Sequence, residues 1–126
     1  MQSKEISDKT PLDRTPPEEA FYFYSGIGQF TGLSSDSLAD FRDKIRSVDI
    51  RSIEFHVARG DFEAWIRHLG DTRLERRLRL IREMELTGEA LRERLYVTLR
   101  SRCDEVQRQQ SILRLERYRN LLALAR

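Results

Sequence analysis

Residues 38–69 read LADFRDKIRSVDIRSIEFHVARGDFEAWIRHL, and the spacing of their apolar side chains decides the fold class. Leu38, Phe41, Ile45 and Val48 recur at steps of three and four, which places them on one face of a helix. Asp40, Arg42, Asp43, Lys44 and Arg46 fall elsewhere on it. Asp49 suits an N-cap, and Ile50, Ile53 and Val57 give a second helix its inward stripe. Gly60 suits a C-cap and Asp61 the cap of a third helix, whose apolar face is Phe62, Trp65, Ile66 and Leu69. On this spacing Trp65 is buried.

Towards the C-terminus, Gly70-Asp71 repeats the stop and start, and Leu74, Leu78, Ile81 and Met84 predict a fourth helix. Thr87-Gly88 interrupts it. From about Glu89 onward there is neither proline nor glycine. Leu91, Leu95, Leu99, Cys103, Val106, Gln110 and Leu113 form a coiled-coil-like seam that is imperfect at Gln110, and Leu121, Leu122 and Leu124 add an apolar end. A helix of about 35 residues spans about 50 Å, long for a domain of this size. A second copy is the simplest cover for Leu91, Leu95, Leu99, Val106 and Leu113, with Gln110 fixing the register.

Towards the N-terminus lies FYFYSGIGQFTGLSSDSL, residues 21–38. Phe21 to Tyr24 reads as a short strand and Gln29 to Thr31 as its partner, turning at Gly26-Ile27-Gly28. A helical turn leading into an irregular loop is the alternative. Gly32 then breaks the chain, and Leu33-Ser34-Ser35-Asp36 offers several N-caps. Residues 1–17, polar with three prolines, read as a flexible arm, and Pro16-Pro17-Glu18-Glu19-Ala20 can start a short helix.

The chain has 126 residues, enough for one core without disulfides. No apolar run approaches the roughly 20 residues that span a bilayer, and the first residues lack a signal peptide's apolar stretch. One cysteine excludes an internal disulfide and fits a reducing compartment, so the expected location is cytoplasmic, with no membrane partner. Residues 1–71 carry nine Lys/Arg against thirteen Asp/Glu, and residues 72–126 carry fourteen Arg against eight acids. The front is acidic and the back basic.

Four features bear on function. Gly26 and Gly28 invite comparison with phosphate-binding loops, but the spacing fits no complete fingerprint and turn chemistry explains both. Glu54, His56, Arg59, Asp61 and Glu63 cluster in sequence. Glu54 and His56 point about 200° apart on a helix, so they do not chelate together, and with two histidines in the chain no metal is expected. Cys103 lies in the apolar seam and reads as a core residue, not a nucleophile. Arg108, Arg114, Arg117, Arg119 and Arg126 outnumber Glu116 after Val106, which allows phosphate contacts or a solvated face. The helix beginning near Leu38 has a faint likeness to a DNA-recognition helix, but its acids argue against it.

The aromatic opening, the Thr-Gly and Ser-Leu-x-x-Phe helix and the His-x-x-Arg-x-Asp-Phe-x-x-Trp block resemble a small, mainly archaeal and bacterial family of unknown function, over about residues 20–86. The resemblance implies no reaction. It implies that Phe21, Gly28, Gly32, His56, Arg59, Asp61, Phe62 and Trp65 match a shared pattern.

The expected fold is mainly α: a bundle of short helices over residues 18–87, a long C-terminal helix over 88–126, and a small β-ribbon near 21–31. The leading functional expectation is a non-catalytic interaction or regulatory module, homodimeric through the C-terminal helix and with an unidentified protein partner. Nucleic-acid binding through Arg108, Arg114, Arg117 and Arg119 is the alternative. A ligand sensor or enzyme with a pocket near His56, Arg59, Asp61, Gly26 and Gly28 is the third reading, and no cofactor is implied.

Overall fold

The computed structural model describes residues 12–125, in which two antiparallel strands lead into five α-helices. They are β1 (Phe21–Tyr24), β2 (Phe30–Ser35), α1 (Leu38–Ile45), α2 (Ile50–Arg59), α3 (Asp61–His68), α4 (Thr72–Glu83) and α5 (Gly88–Leu124). A short 3-10 helix at Pro17–Glu19 precedes β1. The fold is mainly α with a small two-stranded ribbon, as the periodicity predicts. Most of the arm expected over residues 1–17 lies outside the described residues.

The ribbon forms because Phe21 to Tyr24 alternates. Phe21 and Phe23 are buried, and Tyr22 and Tyr24 stand on the open side. Its partner strand differs from the expected Gln29 to Thr31. β2 continues through Gly32 to Ser35, so that Phe21 pairs with Ser35 and Tyr22 with Ser34. Gly32 makes this possible by taking a φ of +89°. At the irregularity between Tyr22 and Tyr24, the Thr31 hydroxyl donates to the Phe23 carbonyl at 2.7 Å. Because the strand uses residues 33–35, the cap of α1 moves to Ser37, whose hydroxyl accepts the Asp40 N–H.

Phe21, Phe23, Phe41, Phe62 and Trp65 form an aromatic core with mostly tilted or edge-to-face contacts. Trp65 is 8% exposed, and its indole N–H donates to the Glu19 carbonyl at 2.8 Å. In α2 the fully inward residues are Ser52, Ile53 and His56, while Ile50 and Val57 are half-buried. The stripe turns towards the ribbon because Phe21 packs against the His56 ring, 4.8 Å between centroids. In α4, Leu74, Leu78 and Ile81 are buried as expected. Met84 is 45% exposed, because the helix ends at Glu83 and the chain reverses with Glu85 at a φ of 57°.

Helix α5 is the spine, packing against α1, α2 and α4. Leu91, Leu95, Leu99, Cys103 and Val106 are all buried. This corrects the assignment of Leu91, Leu95, Leu99 and Val106 to a seam between two copies, since the shorter helices of the same chain cover about 22 Å of it. Gln110 is half-buried and Leu113 is 55% exposed. Beyond Val106 the helix runs on for about 27 Å, and apart from Gln110 its described side chains are exposed.

Side chains tie the spine to the bundle at both ends of the covered stretch. Arg92 donates to the carbonyls of Ile45 and Val48, both at 2.8 Å, which satisfies the C-terminal end of α1. Glu54 accepts the Gly88 N–H at the start of α5. Asp71 caps α4 through the Leu74 N–H and accepts Arg102 of α5 on its other oxygen at 2.8 Å. Its side chain is 1% exposed.

Asp71→Ala removes a cap and leaves Arg102 without its buried partner, so it is expected to destabilise the fold by about 3–5 kcal/mol. Asp49→Ala removes an exposed cap and should cost much less. Trp65→Ala, which empties the aromatic core, should cost about 3–5 kcal/mol. Urea unfolding of the three variants beside the parent checks the ranking.

Candidate functional site

The sequence places His56 in the last turn of α2 and Asp61 at the start of α3, with Gly60 between them. Gly60 takes a φ of +74° and serves as both the C-cap of α2 and the N-cap of α3. The corner is therefore tight enough to bring the two side chains together. Asp61 does not cap α3 as expected. Its carboxylate turns back to accept His56 Nδ1–H at 2.8 Å and Arg59 Nε–H at 2.9 Å.

The other ring nitrogen fixes the tautomer. His56 Nε2 accepts the backbone N–H of Tyr24 at 2.8 Å, so the proton sits on Nδ1 and the ring is neutral. Burial pushes the His56 pKa below the usual 6.5, with Arg59 acting the same way and Asp61 opposing. The imidazole thus joins the ribbon to the α2–α3 corner. Arg59 lies 5.1 Å over the Phe55 ring, half-exposed, and its two terminal nitrogens make no hydrogen bond among the described residues.

These groups border a hollow of about 430 Å³. Its walls are Tyr22, Tyr24, Phe55 and Ile27, and its rim carries Gly26, Gly28, His56, Arg59 and Asp61. The five residues singled out for a ligand site in the sequence are thus brought together. The walls, Tyr22, Tyr24, Ile27 and Phe55, are what sequence reasoning missed. Phe55 carried a signal, since it stands four residues before Arg59 on the same helix face. Tyr24 carried none, because it arrives through the pairing of two strands. Chemically the hollow offers aromatic faces and one guanidinium, a combination suited to a flat or acidic group.

The phosphate-loop comparison for Gly26 and Gly28 does not hold. Such a loop joins a strand to a helix N-terminus, whereas this one joins β1 to β2. It is a turn closed by Ser25 N–H to the Gln29 carbonyl at 2.9 Å and Gln29 N–H to the Gly26 carbonyl at 3.0 Å. No three His, Cys, Asp or Glu residues converge for a metal among the described residues. His68, the other histidine, pairs with Glu19 at 3.2 Å. The Cys103 thiol is buried and its pKa is pushed up by that burial, which makes it a poor nucleophile. A second hollow of about 350 Å³ lies between residues 14–20 and α1, where Arg14 pairs with Asp36 and Lys44 with Asp40.

Because the folded pKa of His56 is depressed, the unfolded chain takes up this proton more readily. The stabilisation is complete above pH about 6.5 and is lost as the pH falls through that value and on through the lower folded pKa. His56→Gln should lower the melting temperature at pH 7.5 and flatten its fall towards pH 5. Melting curves across that range check this. An unchanged slope in the variant would show that His56 does not carry the effect.

A search of curated proteins and a search of solved structures each found no match. The model of the family of unknown function DUF5752 matches residues 2–100, a span that takes in the ribbon, the hollow, the first four helices and the first turns of α5. The chain belongs to that family.

Proposed function

We propose that this protein is a non-catalytic interaction module whose bundle holds out the free half of α5 as a docking helix. The observation that carries this reading is the exposure of Ile112, Leu113, Leu115, Tyr118, Leu121, Leu122 and Leu124 on that half. At about 100° per residue, Leu113, Leu121 and Leu124 continue the side that is buried further back, while Ile112, Leu115 and Leu122 lie on the opposite side. A helix apolar on two sides is the kind that other protein covers. The nucleophile and base candidates add support in a different way: Cys103 is enclosed, and both nitrogens of His56 are engaged within the fold.

The nucleic-acid alternative has no matching observation. Arg108 and Arg119 lie on one side of α5, and Arg117 lies about 180° from Arg108, so the four arginines do not form one face for a phosphate backbone. The ligand reading does have one, the aromatic hollow beneath the half-exposed Arg59. Native mass spectrometry of freshly purified protein would show a bound small molecule that Arg59→Ala loses.

The docking reading is tested inside cells by a photo-reactive side chain placed at Leu113 or Leu121, with Glu18 as the control position. Protein adducts are expected at both helix positions and not at the control. Adducts at neither helix position would overturn the proposal. A chain ending at Val106 should still fold its bundle, as read by circular dichroism, because the core lies before that point.

A further inference from the structure

The outward side of α5 carries a second seam, distinct from the buried one. Ala90, Arg94, Val97, Ser101, Asp104, Arg108, Ser111, Leu115, Tyr118 and Leu122 follow one another at strictly alternating steps of four and three. That spacing is the heptad pattern of a helix–helix contact. Most of these residues are exposed and Val97 is half-buried. Two shallow hollows of about 700 and 470 Å³ run along this side, the first beside Ala90, Val97 and Ser101 and the second beside Asp104, Arg108 and Ser111. Glu93, Arg94, Asp104, Arg108 and Arg119 form no ion pair among the described residues, whereas Arg77, Arg82, Arg92 and Arg102 do.

We infer that this seam takes a second copy of the same chain, running antiparallel, with the two-fold axis level with Val106. The inference rests on the reading of the free half of α5 as a docking helix, and names the occupant of its outward side. The sequence is complementary to its own reverse about that point. Asp104 faces Arg108 of the other copy, and Arg108 faces its Asp104. Ser101 faces Ser111, Val97 faces Leu115, and Ala90 faces Leu122. Arg94 comes over the ring of Tyr118, a cation–π pair, and at the flank Glu93 meets Arg119.

The register is selective. Sliding one helix by a heptad in one direction sets Asp104 against Leu115, and in the other sets Val97 against Arg108. A parallel arrangement sets Asp104 near Asp104 and Arg108 near Arg108. Both leave buried charges without partners, which costs more than the paired arrangement. The central ion pairs thus fix direction and register, while the apolar layers towards both ends supply the attraction. The match to a two-fold axis is also what a closed homodimer requires. In this pairing the inner stripe of Leu113, Leu121 and Leu124 stays open for a different protein.

The test is sedimentation equilibrium of the full chain and its variants at near-physiological salt. The parent is expected to dimerise in the micromolar range. Arg108→Glu sets like charges across the axis and should weaken the dimer by about tenfold or more. Asp104→Arg combined with Arg108→Glu restores opposite charges only in the antiparallel register and should recover most of the parent's affinity. Both positions are exposed and form no ion pair among the described residues, and a melting curve confirms that each variant folds. Direction is read independently by disulfide trapping. A chain carrying Ser101→Cys should cross-link to one carrying Ser111→Cys. Neither should cross-link to itself, since the two Ser101 positions sit about 15 Å apart along the axis, beyond disulfide reach.

A parent that stays monomeric up to about 100 µM, far above the micromolar range expected of a specific complex, overturns the inference. So does a double variant no tighter than Arg108→Glu, or a Ser101→Cys chain that cross-links to itself. If the chain is monomeric while Leu121 still gives adducts with another protein, the docking helix stands and only the second copy is wrong.

Discussion

The inner seam of α5 is the constraint on which everything else depends. Helices α1, α2, α3 and α4 have 8, 10, 8 and 12 residues. Helices that short are marginal in water and hold only by burying one face. Leu91, Leu95, Leu99 and Cys103 give three of them a surface to bury against, and α3 joins through the aromatic core. The ribbon in turn has two strands, too few to stand alone, and it is held by Phe21, Phe23 and the bond from Tyr24 to His56. The site is therefore a derivative of the spine. Its geometry exists only while α2 and α3 are kept at their angle.

What the sequence made legible was local. The stripes of α1, α3 and α4, the caps at Asp49 and Asp71, and the turn at Gly60 depend on residues within a few positions of one another, and all lie where the spacing puts them apart from Met84. Long-range decisions were not legible. An apolar seam announces that something covers it, but not what, and the bundle took the place expected for a second copy. Asp61 had two outlets within reach, the helix N–H groups and the His56 ring, and only the fold chooses between them. The same holds for α1, where Ser34 and Ser35 looked like caps until strand pairing claimed them. The hollow was half legible: Phe55, His56, Arg59 and Asp61 lie close together in sequence, whereas Tyr22 and Tyr24 reach it only because the ribbon packs against α2.

Charge tells a similar story. Along the chain the acids gather at the front and the arginines at the back, but folding interleaves them. Arg82 holds Glu63 with two hydrogen bonds, Arg102 holds Asp71, and Arg92 spends its guanidinium on backbone carbonyls. Part of the basic excess is thereby absorbed within the bundle. Arg108, Arg114, Arg117 and Arg119 on the projecting helix form no ion pair among the described residues, and there they alternate with leucines and do not form a basic stripe.

The shared cap at Gly60 has a consequence for chain length. Where two helices are joined by a loop, a residue can be added or lost in the loop and the helices keep their faces. Here one residue closes α2 and opens α3, so the joint has no slack. Adding a single residue would rotate the face of α3 by about 100° relative to α2. Phe62 and Trp65 would leave the aromatic core together, and Asp61 would swing away from the imidazole it holds. The corner thus acts as a fixed phase between two helices. The turn between β1 and β2 differs, because one more residue there would lengthen the tip without rotating any helix behind it.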